Sequence, residues 1–386
     1  MSIDPLRVSI VLVLVTATAC ESDGKNAANE GDCTDVDGLQ TCRYTTSTSS
    51  SSGLASIDIR VNDSAGAFLV TARSSDELYM STERVIDPDG DTALTWEDWY
   101  NTDYNLTAGI LPMYHETHLN WPVRDDDTQL FSGVWSVELA VIDYDGYYML
   151  GKSVELVTQV KQDDDLSVGN VNARIVYVDG LDTDAEVTAG TEAAVEVWRE
   201  IWGAYGLSLT VSYATATEVS AELPSMVEGG ADIETISLAG TDYDFTVVIG
   251  ESVGGTFEVY GESGGIPGTL IANEHSAVAI SWITNAGGDG VFSEDDIRIY
   301  GETLAHELGH YMGLFHPVDY DARYVPYAWD ALSDTDECSD LDDCDVALGD
   351  NNMYPFPVCP GFDNCTFQQV LSTDQMAVLH RHTGAL

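Results

Sequence analysis

Hydrophobic positions along the chain follow two different periods. From Leu54 to about Val160 they alternate with polar ones; Ile57, Ile59 and Val61 mark one such run, and Val137, Leu139 and Val141 another. A period of two sends successive side chains to opposite faces, so these runs predict half-buried strands. Asp145-Gly146 supplies a turn before a further strand, and no long helical period interrupts the stretch. Residues 54–165 therefore read as a small all-β, sandwich-like domain. The acidic stretch Lys161 to Asp165 forms its boundary.

Beyond residue 166 the pattern changes. Strands are expected at Ala173–Val178, Leu207–Tyr213, Phe245–Ile249 and Ala277–Ile283. Thr188–Tyr205 has helical spacing, with Ala194, Val195, Val197, Trp198, Ile201 and Trp202 apolar. A second helix is expected from Ser293 to Met312. Ser293 is a good N-cap, and Glu294, Asp295 and Asp296 complement the positive end of the helix. The chain then reads as loop, rich in Asp and Cys, to about Cys365, and a short helix over Thr373–His382 closes it. This succession predicts an α/β (α+β) domain with a mixed sheet over residues 166–386. In that sheet Ala277–Trp282 reads either as an edge strand able to hold an extended peptide or as a plain buried strand.

The first residues set the compartment. Arg7, the apolar run Val8–Val15 and the small residues Ala17-Thr18-Ala19 read as an export signal over residues 1–19. That run is too short to span a bilayer as a permanent helix. Ala17-Thr18-Ala19-Cys20 also resembles the lipobox of bacterial lipoproteins. The resemblance implies lipidation of Cys20 and a place in the bacterial cell envelope as an outer-membrane lipoprotein; ordinary cleavage before Cys20 gives a secreted protein instead. Residues 20–53 are polar, end in the run Thr45–Ser52, and read as a flexible tether. Of the 7 Cys, setting Cys20 aside leaves an even set: Cys33, Cys42, Cys338, Cys344, Cys359 and Cys365. In an exported protein these are disulfide candidates. Cys33 and Cys42 are close neighbours, while the last four leave three connectivities open.

Charge narrows the partners. With 66 acidic against 14 basic side chains the chain carries −52 at neutral pH. Nucleic acid is excluded as a partner because phosphate contacts need clustered Lys and Arg. Binding to anionic lipid through a basic face is excluded on the same ground, which leaves a lipid anchor as the one route to a membrane. Oligomeric state is not legible in the sequence.

The chemistry concentrates in His306-Glu307-Leu308-Gly309-His310-Tyr311-Met312-Gly313-Leu314-Phe315-His316. His306 and His310 lie four apart, so a helix projects them from one face, where they can share a metal. Glu307 can reach a water on that metal without ligating it. Gly313 can take the left-handed conformation that ends a helix, and the turn would bring His316 round as a third nitrogen ligand. Three His with one open position is the arrangement of a catalytic zinc. Chance matches to this spacing in a chain of this composition number on the order of 10⁻⁵. No phosphate-cradling Gly loop and no G-x-S-x-G elbow is found.

The segment resembles the zinc signature of the metzincin metalloproteases, and within them the pappalysin-like branch that includes the bacterial cytophagalysin-type enzymes. Ser333-Asp334-Thr335-Asp336 resembles the Asp-Thr element of that branch. Asn351-Asn352-Met353-Tyr354 resembles its Met-turn, and Phe367-Gln368-Gln369 with Thr373-Asp374-Gln375 its closing helix region. The resemblance spans about Asn172 to His382. It implies Zn2+ held by His306, His310 and His316, Glu307 as general base, Met353 beneath the metal, and a protein or peptide substrate. Pro355 stands where related enzymes often carry a Tyr. Calcium (Ca2+) has two candidate sites. Asp87, Asp89 and Asp91, followed by Leu94 and Asp98, resemble an EF-hand-type loop, with Thr92 at the usual Gly position. Asp334, Asp336, Asp340, Asp342, Asp343 and Asp345 lie beside the expected active site, where some pappalysin-like relatives bind calcium. For both sets a solvated acidic turn is the other reading. The sequence thus reads as a zinc-dependent endopeptidase. The alternatives are a narrowly specific envelope processing peptidase or amidase, and a surface adhesin that keeps the zinc fold without cleaving.

Overall fold

A computed structural model describes residues 32–76, 78–96, 113–359 and 365–386. Cys20, the export segment, the start of the tether and Asp98 lie outside these residues. The N-terminal part contains β1 (Asp32–Val36), β2 (Leu39–Ser47), β3 (Leu54–Val61), β4 (Ala67–Ser74), β5 (Tyr79–Ile86), β6 (Thr92–Thr95), β7 (Met113–Tyr114), β8 (Glu116–Trp121), β9 (Gly133–Ile142) and β10 (Ser153–Lys161). They form two antiparallel sheets, one in the order β1-β2-β10-β4-β8 and the other β3-β9-β5-β6 with β7 beside β5. The alternating residues Ile57, Ile59, Val137 and Leu139 are buried together with Phe68, Trp121 and Trp135. These apolar faces make the sheets a sandwich.

The expected tether is corrected over residues 32–47. β2 pairs with β10 along its whole length, Cys33 bonds to Cys42 across the β1–β2 hairpin, and Leu39 and Cys42 are buried. The run of Thr that reads as polar linker has high strand propensity, and pairing with β10 is what reveals it.

The second part carries β11 (Gly169–Val178), α1 (Ala185–Gly203), β12 (Leu207–Ala216), β13 (Glu222–Leu223), α2 (Ala231–Leu238), β14 (Phe245–Gly250), β15 (Ser252–Val253), β16 (Gly261–Ser263), β17 (Val278–Ser281), α3 (Trp282–Asn285) and α4 (Glu294–Tyr311). The main sheet runs β12-β11-β14-β17-β16, parallel except for β16. Of the two readings for Ala277–Trp282 the buried strand holds, since β17 lies inside the sheet with β16 as the edge; the expected strand end is corrected, because the chain turns helical at Trp282, where Ser281 caps Thr284. Helices α1 and α4 pack closely because Gly301 has no side chain; a Cβ there would come 2.6 Å from the Ala194 carbonyl oxygen.

The stretch read as loop also holds structure: β18 (Val318–Tyr320), β19 (Pro326–Trp329) and α5 (Leu341–Leu348), before α6 (Thr373–Arg381). Val318, Cys344, Leu348 and Tyr354 form a small core of their own, with Tyr320, Trp329 and Phe356 packed on it. Disulfides Cys338–Cys344 and Cys359–Cys365 pair the four C-terminal cysteines in sequence order.

The two parts share one continuous apolar core, and their contact is polar as well. Thr71 Oγ1 meets Thr269 Oγ1 at 2.6 Å, Arg73 pairs with Glu234 at 2.6 Å, and the buried Lys161 Nζ donates to the His380 carbonyl at 2.8 Å.

Candidate metal centre

Helix α4 begins with a reciprocal capping box between Ser293 and Asp296 and ends just before Gly313. Gly313 has φ +113°, and Leu314 N–H returns to the Gly309 carbonyl at 3.0 Å. This left-handed exit reverses the chain and carries His316 back beside the helix.

Each histidine is then fixed by its Nδ1. His306 Nδ1 lies 2.7 Å from the Asn352 carbonyl oxygen, His310 Nδ1 2.7 Å from that of Leu314, and His316 Nδ1 2.9 Å from Asp319 Oδ1. Carbonyl and carboxylate oxygens only accept, so each Nδ1 carries a proton, and in the neutral rings Nε2 is the lone pair left to ligate. Those lone pairs converge: Nε2 of His316 is 3.1 Å from that of His310 and 3.3 Å from that of His306. Tetrahedral zinc with bonds of about 2.0–2.1 Å places its nitrogen ligands roughly 3.3 Å apart, which fits this set. Burial holds His306 down at about 3 and His310 well below its ordinary value, so both stay neutral and ready to ligate. Among the described residues this is the one cluster of three or more His, Cys, Asp or Glu whose ligand atoms lie within 4.8 Å of each other.

Glu307 is buried one residue along the helix, and edge strand β16 passes so close that a Cβ on Gly261 would meet Glu307 Cγ at 2.6 Å. Burial, with a smaller contribution from nearby Glu262, pushes its carboxyl up to about 8. A divalent cation at the histidines opposes that shift by favouring the carboxylate.

Met353 packs against α4 at Gly309, in a turn closed by Tyr354 N–H to the Asn351 carbonyl. The turn is tied through two residues: Asn352 donates to the carbonyls of Glu302 and Gln368, and Asn351 pairs with Gln375 at the start of α6. Tyr354 points away from the metal site. Its hydroxyl donates to Asp345 and accepts from Tyr320, both at 2.6 Å.

The geometry lends neither calcium expectation support, and Asp98 of the first lies outside the described residues. Asp87 Oδ1 accepts from the backbone of Asp89 and Asp91 in a tight turn between β5 and β6, so the three carboxylates do not converge. Asp143 builds the same turn with Asp145 and Tyr147. Asp334 accepts from Ser372 Oγ and Asp374 N–H, tying it to the start of α6. Asp340 caps α5 through Asp343 N–H, and Asp343 accepts from Ser339. Asp336 joins no ligand cluster. These carboxylates satisfy backbone donors, a local demand that sequence spacing alone cannot tell from a metal loop.

Asp319, Gly261 and Glu262 escape the sequence reading. A carboxylate three residues after His316 was a usable signal for the first; the others are placed only by sheet order.

No protein-family model and no curated protein matches the chain. Among solved structures, archaemetzincin from Methanopyrus kandleri is similar at 20% identity. The match covers 40% of this chain and 79% of that one, with a TM-score of 0.25. Metalloproteinase-II from Bacteroides fragilis is similar at 12% identity over 43% of this chain and 48% of that one, so about half its length, with a TM-score of 0.26. Similarity at that level fixes neither fold nor activity, and the functional conclusion rests on the side-chain geometry.

Proposed function

We propose that this protein is a zinc-dependent endopeptidase of the metzincin type, resembling the pappalysin-like branch. The observation that carries the reading is the convergence of three histidine Nε2 atoms, that of His316 lying 3.1 Å from His310's and 3.3 Å from His306's, with the buried Glu307 carboxyl next to His306 in the helix. A bound zinc ion supplies a water of lowered pKa and polarises the scissile carbonyl. Glu307 accepts the water's proton and later delivers it to the leaving amine, a role suited to a carboxyl group raised toward neutrality. The peptide lies extended along the open edge of β16, beside Glu307, and is held by backbone hydrogen bonds. Cys20 carries a lipid that holds the enzyme at the bacterial envelope.

The test is cleavage of a mixed peptide library by zinc-loaded protein beside its Glu307→Ala variant. Cuts made by the parent alone support the reading and give the side-chain preference. Zinc bound by both without any cut favours the adhesin.

A further inference from the structure

The three ligands are not held alike. His306 and His310 lean on backbone carbonyls, whereas His316 leans on a side chain, the Asp319 carboxylate at 2.9 Å. We infer that Asp319 is a positioning residue for the metal: it fixes the tautomer and direction of His316 and adds a negative charge hydrogen-bonded to a ligand. The inference rests on the zinc reading above.

Two features place Asp319 there. On β18, Val318 and Tyr320 point into the small C-terminal core, Tyr320 being tied further through Tyr354 to Asp345. Strand alternation then turns Asp319 to the opposite face, toward His316. The register shift beside Asp319 places the extra residue, Tyr327, on β19, so β18 keeps its own alternation there. His316 is also the ligand that needs such help. It lies past the helix end, so no helical backbone orients it, and its ring is partly exposed. A carboxylate accepting from Nδ1 makes the opposite nitrogen a better donor to a cation, and loss of such partners lowers metal affinity about 10–100-fold.

The experiment measures zinc affinity by chelator competition on the full chain, for the parent, Asp319→Ala and Asp319→Asn. The expected order is parent tightest, Asn intermediate because it keeps an acceptor but no charge, and Ala weakest by about 10–100-fold. Thermal unfolding of the zinc-free proteins is to remain unchanged, since Asp319 is substantially exposed. The 15N signals of the His316 ring are to show a protonated Nδ1 in the zinc-free parent and a tautomer mixture in Asp319→Ala. Equal zinc affinity in parent and Ala variant overturns the inference. So does an Ala variant whose zinc loss is matched by a drop in zinc-free stability. A parent that binds no zinc overturns the functional reading itself.

Discussion

Met353 and Gly309 share one space: the Met353 sulfur lies 2.7 Å from where a Cβ on residue 309 would sit. The turn that carries Met353 also presents the Asn352 carbonyl to His306, so the packing of this pair and the aim of a metal ligand are one arrangement. Gly309→Ala pushes the sulfur aside. The expected loss is about 1–3 kcal/mol of stability, the usual range for overpacking, together with weaker zinc binding. Urea unfolding and chelator competition read the two effects. A variant as stable and as tight as the parent would show that the turn moves freely.

Gly261 plays the corresponding part for Glu307. A methyl group at that position meets Glu307 Cγ at 2.6 Å and Ile280 Cδ1 at 2.8 Å. Gly261→Ala should lower kcat by at least about tenfold, because general-base catalysis depends on hydrogen-bond reach. Zinc content should be unaltered. Unchanged kcat, measured on a peptide identified in the library screen, would place the base elsewhere.

Zinc uptake should release a proton from Glu307. In the zinc-free protein its carboxyl, raised from 4.5 to about 8, is mostly protonated at pH 7, while the two buried ligand histidines are already neutral. Calorimetry in buffers of different ionisation heat should therefore find about one more proton released by the parent than by Glu307→Gln. The difference should vanish above about pH 9, where Glu307 is already ionised in the zinc-free form. The same sign applies to stability. The neutral carboxyl's contribution in the zinc-free fold is present below pH 4.5 and lost as pH rises through 8. Equal proton counts at pH 7 would contradict the raised carboxyl.

His382 predicts acid sensitivity where the C-terminal segment meets the core. Burial lowers it from 6.5 to about 4, beside the ring of Phe245. A depressed histidine contributes stability that is full above pH 6.5 and lost as pH falls through 4, because the unfolded chain then binds the extra proton. The ceiling on that loss is about 3 kcal/mol. Urea midpoints between pH 7 and pH 4 should fall less steeply for His382→Gln than for the parent. Parallel curves would rule His382 out as a source of the acid loss.

The sequence by itself determined what short-range physics controls. The alternation of Ile57, Ile59 and Val61 requires strands, the cap at Ser293 starts the metal helix, and the i, i+4 spacing of His306 and His310 with the left-handed Gly313 defines the ligand set. Each of these follows from neighbours a few residues apart. Tertiary structure decided the rest. That Thr41–Ser47 is a strand depends on β10, more than a hundred residues away. That β16 and not β17 is the edge depends on sheet order. That Asp334 accepts from Asp374 N–H at the start of α6 also depends on folding, across a separation of 40 residues. The partners that aim the three histidines divide the same way: Leu314 and Asp319 lie close to their ligands in the chain, whereas Asn352 reaches His306 across a separation of 46 residues.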